Sequence, residues 1–185
     1  MKANIANSLT WLRIAAIPAV VWCFFSDLHF ARPIAGAVFG LAAITDLLDG
    51  YVARRLGQTS KFGEFLDPVA DKLMVAAALI LLVQLARVDA LIAVIIIGRE
   101  ITISALREWM ARVGKSASVA VAYVGKLKTA AQMTAIPLLL YNAPLLYLDV
   151  RLAGQVLIYV AAALTLWSMG YYLRRALPLL AEHGE

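Results

Sequence analysis

Residues 152–173, LAGQVLIYVAAALTLWSMGYYL, form a run of 22 residues without one charged side chain. A helix that crosses the hydrocarbon core of a bilayer needs about 20 predominantly apolar residues. This stretch therefore predicts a membrane-spanning helix, and the rest of the chain is interpreted from it.

The overall composition agrees with a membrane environment. Of the 185 residues, 63% are hydrophobic and only 16% are charged, and the mean hydropathy is +0.81. A domain of this size has too small a core to bury so much apolar surface, so lipid must act as part of its solvent. The net charge of +5 does not indicate nucleic acid, because the basic residues stand at the ends of apolar runs and not on an open face with interleaved aromatic residues.

The apolar segments predict an all-α integral membrane protein with six transmembrane helices in a single domain, residues 1–185. The candidate spans are 8–26, 31–52, 65–87, 89–111, 118–147 and 152–174. Of the 17 basic residues, three lie in the turns near 27–32, 87–89 and 149–151, and the others fall at the opposite level. Because basic residues are enriched on the cytoplasmic side, both termini and the loops after segments two and four are predicted to be cytoplasmic.

Four aspartates gather where segments two and three meet the cytoplasm. Asp46 and Asp49 share one face of segment two, and Asp67 and Asp71 share one face at the start of segment three. The turn residues of 56–63 indicate a short loop between them. Asp67 followed by Pro68 further predicts an N-cap and a first helical position there.

Clustered carboxylates in a poorly polar setting repel each other strongly unless cations lie between them. Oxygen ligands of this kind suit Mg²⁺ or Mn²⁺ rather than zinc. Gly50 and Ala53 leave room for a ligand beside the carboxylates, and Arg54 offers a planar donor suited to phosphate. The alternatives are ordinary helix-end aspartates neutralised by nearby basic residues, or the ion pathway of a small transporter.

The string Asp46-x2-Asp49-Gly50-x2-Ala53-Arg54-x8-Gly63-x3-Asp67-x3-Asp71 resembles the signature of the CDP-alcohol phosphotransferase family at every fixed position. The resemblance implies a six-helix membrane enzyme with two divalent metal ions, which transfers a phosphatidyl group from a CDP-linked lipid to an alcohol and releases CMP. It also implies a bacterial inner-membrane location with a cytoplasmic site, the lipid bilayer as partner, and a homodimer.

The same resemblance implies roles for individual residues. Asp46, Asp49, Asp67 and Asp71 would bind metal, and Asp71 would also act as the catalytic general base. The contacts to the CDP-lipid would come from Asn7, Thr10, Gly50, Ala53, Arg54 and Ser60. For Asn7 and Thr10, the competing interpretation is a helix N-cap at Asn7 or Ser8, together with an arginine, Arg13, whose charged end extends toward the headgroups.

Segments four and five bear on the acceptor. Gly125, Lys128, Thr129 and Gln132 form a polar stripe on a membrane helix, which predicts that this face lines a cavity. On segment four, Glu100, Ser104 and Arg107 share a face, where an internal ion pair or a ligand site is expected.

These segments resemble family members whose substrates are CDP-diacylglycerol and glycerol 3-phosphate, the product being phosphatidylglycerol phosphate. Arg107, Lys126 and Lys128 would then bind the acceptor phosphate; lysines that reach toward lipid headgroups are the alternative for the last two. A sibling transferase that uses another acceptor, such as inositol phosphate, is the main competing function.

Overall fold

In the computed structural model, the described residues are 14–15, 17–22, 25, 34, 36–41, 61–112, 120–141 and 149–183. Within these ranges the chain is helical apart from short turns, and no strand occurs. The four long helices are α1 (Lys61–Gln84), α2 (Ala90–Arg112), α3 (Ala120–Tyr141) and α4 (Val150–His183). The all-α prediction is confirmed for this part of the chain. The shorter stretches upstream are also helical and fall within the first two predicted segments.

The beginning of α1 differs from the sequence prediction. The helix starts at Lys61 and contains Pro68 in its interior. The loop predicted for 56–63 is therefore wrong at its last three residues, and the N-cap predicted at Asp67 is wrong. Proline removes one backbone donor from a helix, whereas ending the helix would leave several backbone groups without partners. Continuing the helix through Pro68 is therefore the less costly choice. Gly63, Asp67 and Asp71 consequently belong to one continuous helix.

Among the described residues, one helix is long and apolar enough to cross a membrane: Val150–Arg174, with 25 residues. It contains the predicted segment 152–174, and α4 continues beyond it to His183. The predicted segment 89–111 agrees with α2 to within one residue at each end. The full set of six spans stays a prediction.

The turn between α1 and α2 is held by backbone and side-chain hydrogen bonds. Ala86 adopts a left-handed conformation with φ of 53°. The N–H of Ala86 donates to the carbonyl of Val83 and that of Arg87 to the carbonyl of Leu82, both at 2.9 Å, which is the pattern that closes many helix C-termini. Asp89 then caps α2, because its Oδ1 accepts from the N–H of Leu91 at 2.8 Å.

Arg87 ties this turn to the end of α3. Its Nη1 donates to the carbonyl oxygens of Leu139 and Leu140 at 2.6 and 2.9 Å. A cation is favourable there because the last carbonyls of a helix lack intrahelical partners and carry partial negative charge. The α1–α2 turn and the C-terminus of α3 thus form one end of the bundle.

The apolar core lies between α1, α2, α3 and α4 and includes Phe39 from the upstream stretch. Close helix approaches depend on glycine: a Cβ at Gly154 of α4 would lie 2.7 Å from Cγ of Leu139 on α3. At Gly36 a Cβ would lie 2.7 Å from the backbone nitrogen of Tyr141. The helices alternate in direction, so the start of α1, the end of α2 and the start of α3 meet at the end of the bundle opposite Arg87. Polar side chains collect at that end.

Candidate functional site

A cavity of about 560 Å³ opens at this polar end of the bundle, between α1, α2 and α3. The residues of α1 that line the cavity are Pro68, Val69, Asp71, Lys72 and Val75. Asp71 is half-buried, so the carboxylate predicted to act as base and metal ligand lies on the cavity wall. Asp67 belongs to the same helix, four residues earlier.

The end of α2 supplies the charged wall facing α1. Glu100, Ser104, Arg107 and Glu108 line the cavity. The predicted common face of Glu100, Ser104 and Arg107 is therefore confirmed. It faces a cavity rather than the apolar core, which means that both predicted uses of these residues, ion pairing and ligand binding, are open to them.

The beginning of α3 carries the polar stripe that the sequence predicted. Thr129 and Gln132 line the cavity together with Met133, whereas Gly125 and Lys128 do not line it. The prediction that this stripe borders a cavity is therefore confirmed for two of its four residues. The hydroxyl of Thr129 donates to the carbonyl of Gly125 at 2.9 Å. Gly125 itself is open to space, since a Cβ there would meet nothing within 4 Å.

Lys128 lies behind this wall and not on it. Its residue is 2% exposed, and its ammonium forms an ion pair and hydrogen bond with Oε1 of Glu100. Arg99 is also buried and approaches the same carboxylate oxygen at 3.8 Å. Two cations thus share one carboxylate on the cavity wall, and the local charge of this cluster is positive.

Arg107 is held in place by α4. Its Nη2 donates to the hydroxyl of Tyr172 at 2.8 Å, and its guanidinium carbon lies 5.0 Å from the centre of the same ring. Hydrogen bond and cation–π contact together fix a long, exposed side chain. The guanidinium that was predicted to bind the acceptor phosphate is therefore positioned beside the cavity by an aromatic residue from another helix.

Sequence reasoning missed the contribution of α4. In addition to Tyr172, Ser168 accepts a hydrogen bond from Nη2 of Arg99 at 2.8 Å. Thr165, Ser168 and Tyr172 follow i, i+3, i+7 spacing within the charge-free stretch 152–173 of α4. That polar line was the available signal, because polar groups on a membrane helix are expected to face other helices rather than lipid.

The predicted metal site is described only in part. Asp46 and Asp49 lie outside the described residues. Among the residues that are described, no three acidic, histidine or cysteine side chains lie close enough together to hold a metal ion. What the described part offers is Asp71 on the cavity wall, with Asp67 one turn away on α1. Carboxylate oxygens on an accessible polar wall suit Mg²⁺ or Mn²⁺.

The residues predicted to contact the CDP-lipid also fall outside the described residues. They are Asn7, Thr10, Gly50, Ala53, Arg54 and Ser60.

Of the predicted acceptor ligands, Arg107 lines the cavity. Lys128 does not line it but is paired with Glu100, which does. Lys126 is exposed and does not line the cavity. The structure therefore brings Asp71 and Arg107 together and leaves Lys126 apart.

Comparison with known proteins shows the family of this chain. Residues 3–167 match the model of the family described as CDP-alcohol phosphatidyltransferase. The chain belongs to this family.

Curated members of the family match the chain over nearly its whole length. The protein of Yersinia enterocolitica is 47% identical over 184 residues, covering 98% of this chain and 100% of its own. Those of Salmonella choleraesuis and Pectobacterium atrosepticum are 48% and 47% identical over 178 residues, covering 95% of this chain and 96% of theirs. Each is named CDP-diacylglycerol–glycerol-3-phosphate 3-phosphatidyltransferase.

Proposed function

We propose that this chain transfers the phosphatidyl group of CDP-diacylglycerol to glycerol 3-phosphate, giving phosphatidylglycerol phosphate and CMP. The observation that carries the proposal is the cavity that both Asp71 on α1 and Arg107 on α2 line. A carboxylate suits removal of a proton from an attacking hydroxyl, and a guanidinium suits a phosphate. The names of the relatives, which match over nearly the full chain, support the same reaction.

Asp71 acts as the general base. The terminal hydroxyl of the acceptor gives its proton to the carboxylate of Asp71 while its oxygen forms a bond to the phosphorus of the phosphatidyl group. The bond from that phosphorus to the CMP oxygen breaks, and CMP leaves. A positioned base of this kind contributes about 10²- to 10⁴-fold to the rate.

Asp46, Asp49, Asp67 and Asp71 are the residues that would hold two divalent ions, Mg²⁺ or Mn²⁺. Bound there, the ions supply charge neutralisation of the pyrophosphate and of the departing CMP. The nucleotide head is proposed to contact Asn7, Thr10, Gly50, Ala53, Arg54 and Ser60. Asp71 is thus the residue at which nucleotide and acceptor meet.

The acceptor phosphate is bound chiefly by Arg107. Its guanidinium is already oriented by Tyr172, so little conformational freedom is lost when it pairs with phosphate. The ammonium of Lys128 is paired with Glu100, so it does not bind the phosphate directly. It contributes to phosphate binding through the net positive charge of the cluster that it forms with Arg99 and Glu100. Lys126, which is exposed, lies where it attracts an anionic acceptor from solution rather than where it holds one.

The helix surfaces support a membrane location. Large apolar side chains are exposed on all four helices, a pattern that in water would favour aggregation but in lipid is the expected outer surface. The exposed apolar residues of the four helices include Leu73, Ile80, Leu91, Val94, Ile101, Leu127, Val156, Tyr159, Leu166 and Trp167. We extend this to a six-span protein of the bacterial inner membrane, with the cavity at its cytoplasmic face.

An acceptor panel tests the proposal. The purified protein in detergent micelles containing CDP-diacylglycerol is given glycerol 3-phosphate, inositol phosphate, serine or no acceptor, each with Mg²⁺, Mn²⁺ or a chelator. We expect CMP release that requires glycerol 3-phosphate and a divalent ion. Release with inositol phosphate and none with glycerol 3-phosphate would replace the proposed acceptor.

A further inference from the structure

Gln132 brings to the cavity wall a buried polar atom that has no partner among the described residues. The residue is 3% exposed, and within the described part of the chain its Oε1 accepts no hydrogen bond. A buried carboxamide oxygen without a donor is unfavourable, and such atoms in folded proteins are usually satisfied by water or a ligand. The cavity at Gln132 is therefore suited to a ligand that offers a hydrogen-bond donor.

The chemistry of the carboxamide narrows the choice of ligand group. A phosphate at neutral pH presents mainly acceptor oxygens, so it does not satisfy an amide oxygen, whereas an alcohol supplies an O–H. Gln132 is also uncharged, unlike its neighbour Lys128 one turn earlier on α3. The wall thus offers three different groups on three helices: the carboxylate of Asp71, the guanidinium of Arg107 and the carboxamide of Gln132.

Glycerol 3-phosphate carries three matching groups: a terminal hydroxyl, a secondary hydroxyl on the middle carbon, and a phosphate. Under the proposed function, Asp71 takes the proton of the terminal hydroxyl and Arg107 binds the phosphate, which leaves the secondary hydroxyl. We propose that Oε1 of Gln132 accepts a hydrogen bond from this secondary hydroxyl, and that Gln132 is a specificity-determining residue for the acceptor. The assignment rests on the proposed function.

The test compares two acceptors that differ only in this hydroxyl: glycerol 3-phosphate and 3-hydroxypropyl phosphate. The wild-type protein should favour glycerol 3-phosphate by about 10- to 100-fold in kcat/KM, because the analogue leaves the amide oxygen unpaired. Gln132→Met, which keeps the length of the side chain and removes the amide, should lose most of that preference. The variant should lower kcat/KM for glycerol 3-phosphate by about 10- to 100-fold. It should change kcat/KM for 3-hydroxypropyl phosphate by less than about threefold.

Met133→Leu is the matched control, since it alters the adjacent wall residue with little change of volume and no change of polarity. It should keep the wild-type preference. Gln132→Met removes a buried amide oxygen that has no donor among the described residues, so its unfolding temperature without acceptor should equal or exceed that of the wild type. The comparison of the two acceptors with the wild-type protein tests the proposal even if Gln132→Met does not fold.

The outcomes distinguish a failure of the Gln132 assignment from a failure of the proposed transferase function. If the wild type uses both acceptors equally, or if Gln132→Met retains the wild-type preference, the assignment of Gln132 is overturned while the transferase function stands. If the wild type releases no CMP with glycerol 3-phosphate, the proposed function is overturned and the assignment of Gln132 with it.

Discussion

Asp71 is the predicted catalytic carboxylate whose side chain lies on the cavity wall. Asp71→Asn keeps the shape of the side chain but removes its ability to take a proton. We expect CMP release to fall by at least about 10²-fold, while binding of CDP-diacylglycerol, followed by titration calorimetry, stays within a fewfold of wild type.

Two further variants serve as a control and as a comparison for Asp71→Asn. Asp89→Asn lies at the opposite end of the bundle, where asparagine caps a helix as well as aspartate, and it should leave turnover unchanged. Asp46→Asn should weaken binding of the nucleotide lipid. If Asp71→Asn loses as much binding as Asp46→Asn, Asp71 is chiefly a metal ligand and another group is the base.

Tyr172 is proposed to position Arg107 rather than to touch substrate. Tyr172→Phe removes the hydroxyl that accepts from Nη2 of Arg107 but keeps the ring beneath the guanidinium. Losing one such hydrogen bond is worth about 0.5–1.5 kcal/mol, so KM for glycerol 3-phosphate should rise roughly two- to tenfold with kcat nearly constant. Steady-state kinetics with CDP-diacylglycerol in excess measures this split.

Tyr159→Phe is the control for Tyr172→Phe, because Tyr159 lies on the same helix and is 55% exposed. It should leave both constants unchanged. A fall in kcat without a change in KM for Tyr172→Phe would contradict a role in binding the acceptor phosphate.

At the scale of elements, Gly36 permits the close approach of its helical stretch to the end of α3. A Cβ there would lie 2.7 and 2.9 Å from the backbone N and Cα of Tyr141, and backbone atoms in a helix cannot move aside singly. Gly36→Ala should therefore destabilise the protein by about 1–3 kcal/mol, the usual range for overpacking. Thermal unfolding in detergent, followed by tryptophan fluorescence, measures the change.

Gly40→Ala is the matched substitution in the same stretch. Its Cβ would lie 3.5 Å from Cβ of Pro137, an ordinary contact, and alanine favours a helix over glycine by about 1 kcal/mol. It should leave the unfolding temperature unchanged or raise it. Equal destabilisation by both variants would show that the contact with Tyr141 is not the cause.

The elements themselves were predictable from sequence to differing degrees. The bounds of α2 followed from its apolar run, because Asp89 caps it at the predicted boundary. The start of α1 was not predicted correctly, because an aspartate followed by a proline, as at Asp67-Pro68, is typical of a helix N-cap and first helical position. The helix instead continues upstream to Lys61, where the cost of breaking many backbone hydrogen bonds outweighs the one that proline removes.

At the scale of the molecule, periodicity predicted which faces of α2 and α3 are polar, and both do line one cavity. It could not predict which side chains pair across helices. The pairing of Lys128 with Glu100, of Arg99 with Ser168 and of Arg107 with Tyr172 depends on helix packing, which sequence spacing does not determine. Consequently Lys128, predicted as a phosphate ligand, is engaged by a carboxylate, and Tyr172 was overlooked.

The orientation of the whole molecule is a prediction from its charges, and α4 offers a direct test. Arg151 and Arg174 are both exposed and stand near the two ends of its apolar part. At 1.5 Å per residue they are about 35 Å apart, more than the hydrocarbon core of about 30 Å. In a chain whose single cysteine, Cys23, has been replaced by serine, Arg151→Cys should react with a membrane-impermeant maleimide in intact spheroplasts.

Arg174→Cys should react only after the membrane is permeabilised, because the polar end of the bundle, where Tyr172 meets Arg107, is predicted to face the cytoplasm. This location agrees with the proposed reaction, in which a nucleotide lipid and a phosphorylated alcohol must both reach the cavity. Labelling of Arg174→Cys alone in intact spheroplasts would invert the orientation. Labelling of both would show that α4 does not span the bilayer between these two residues.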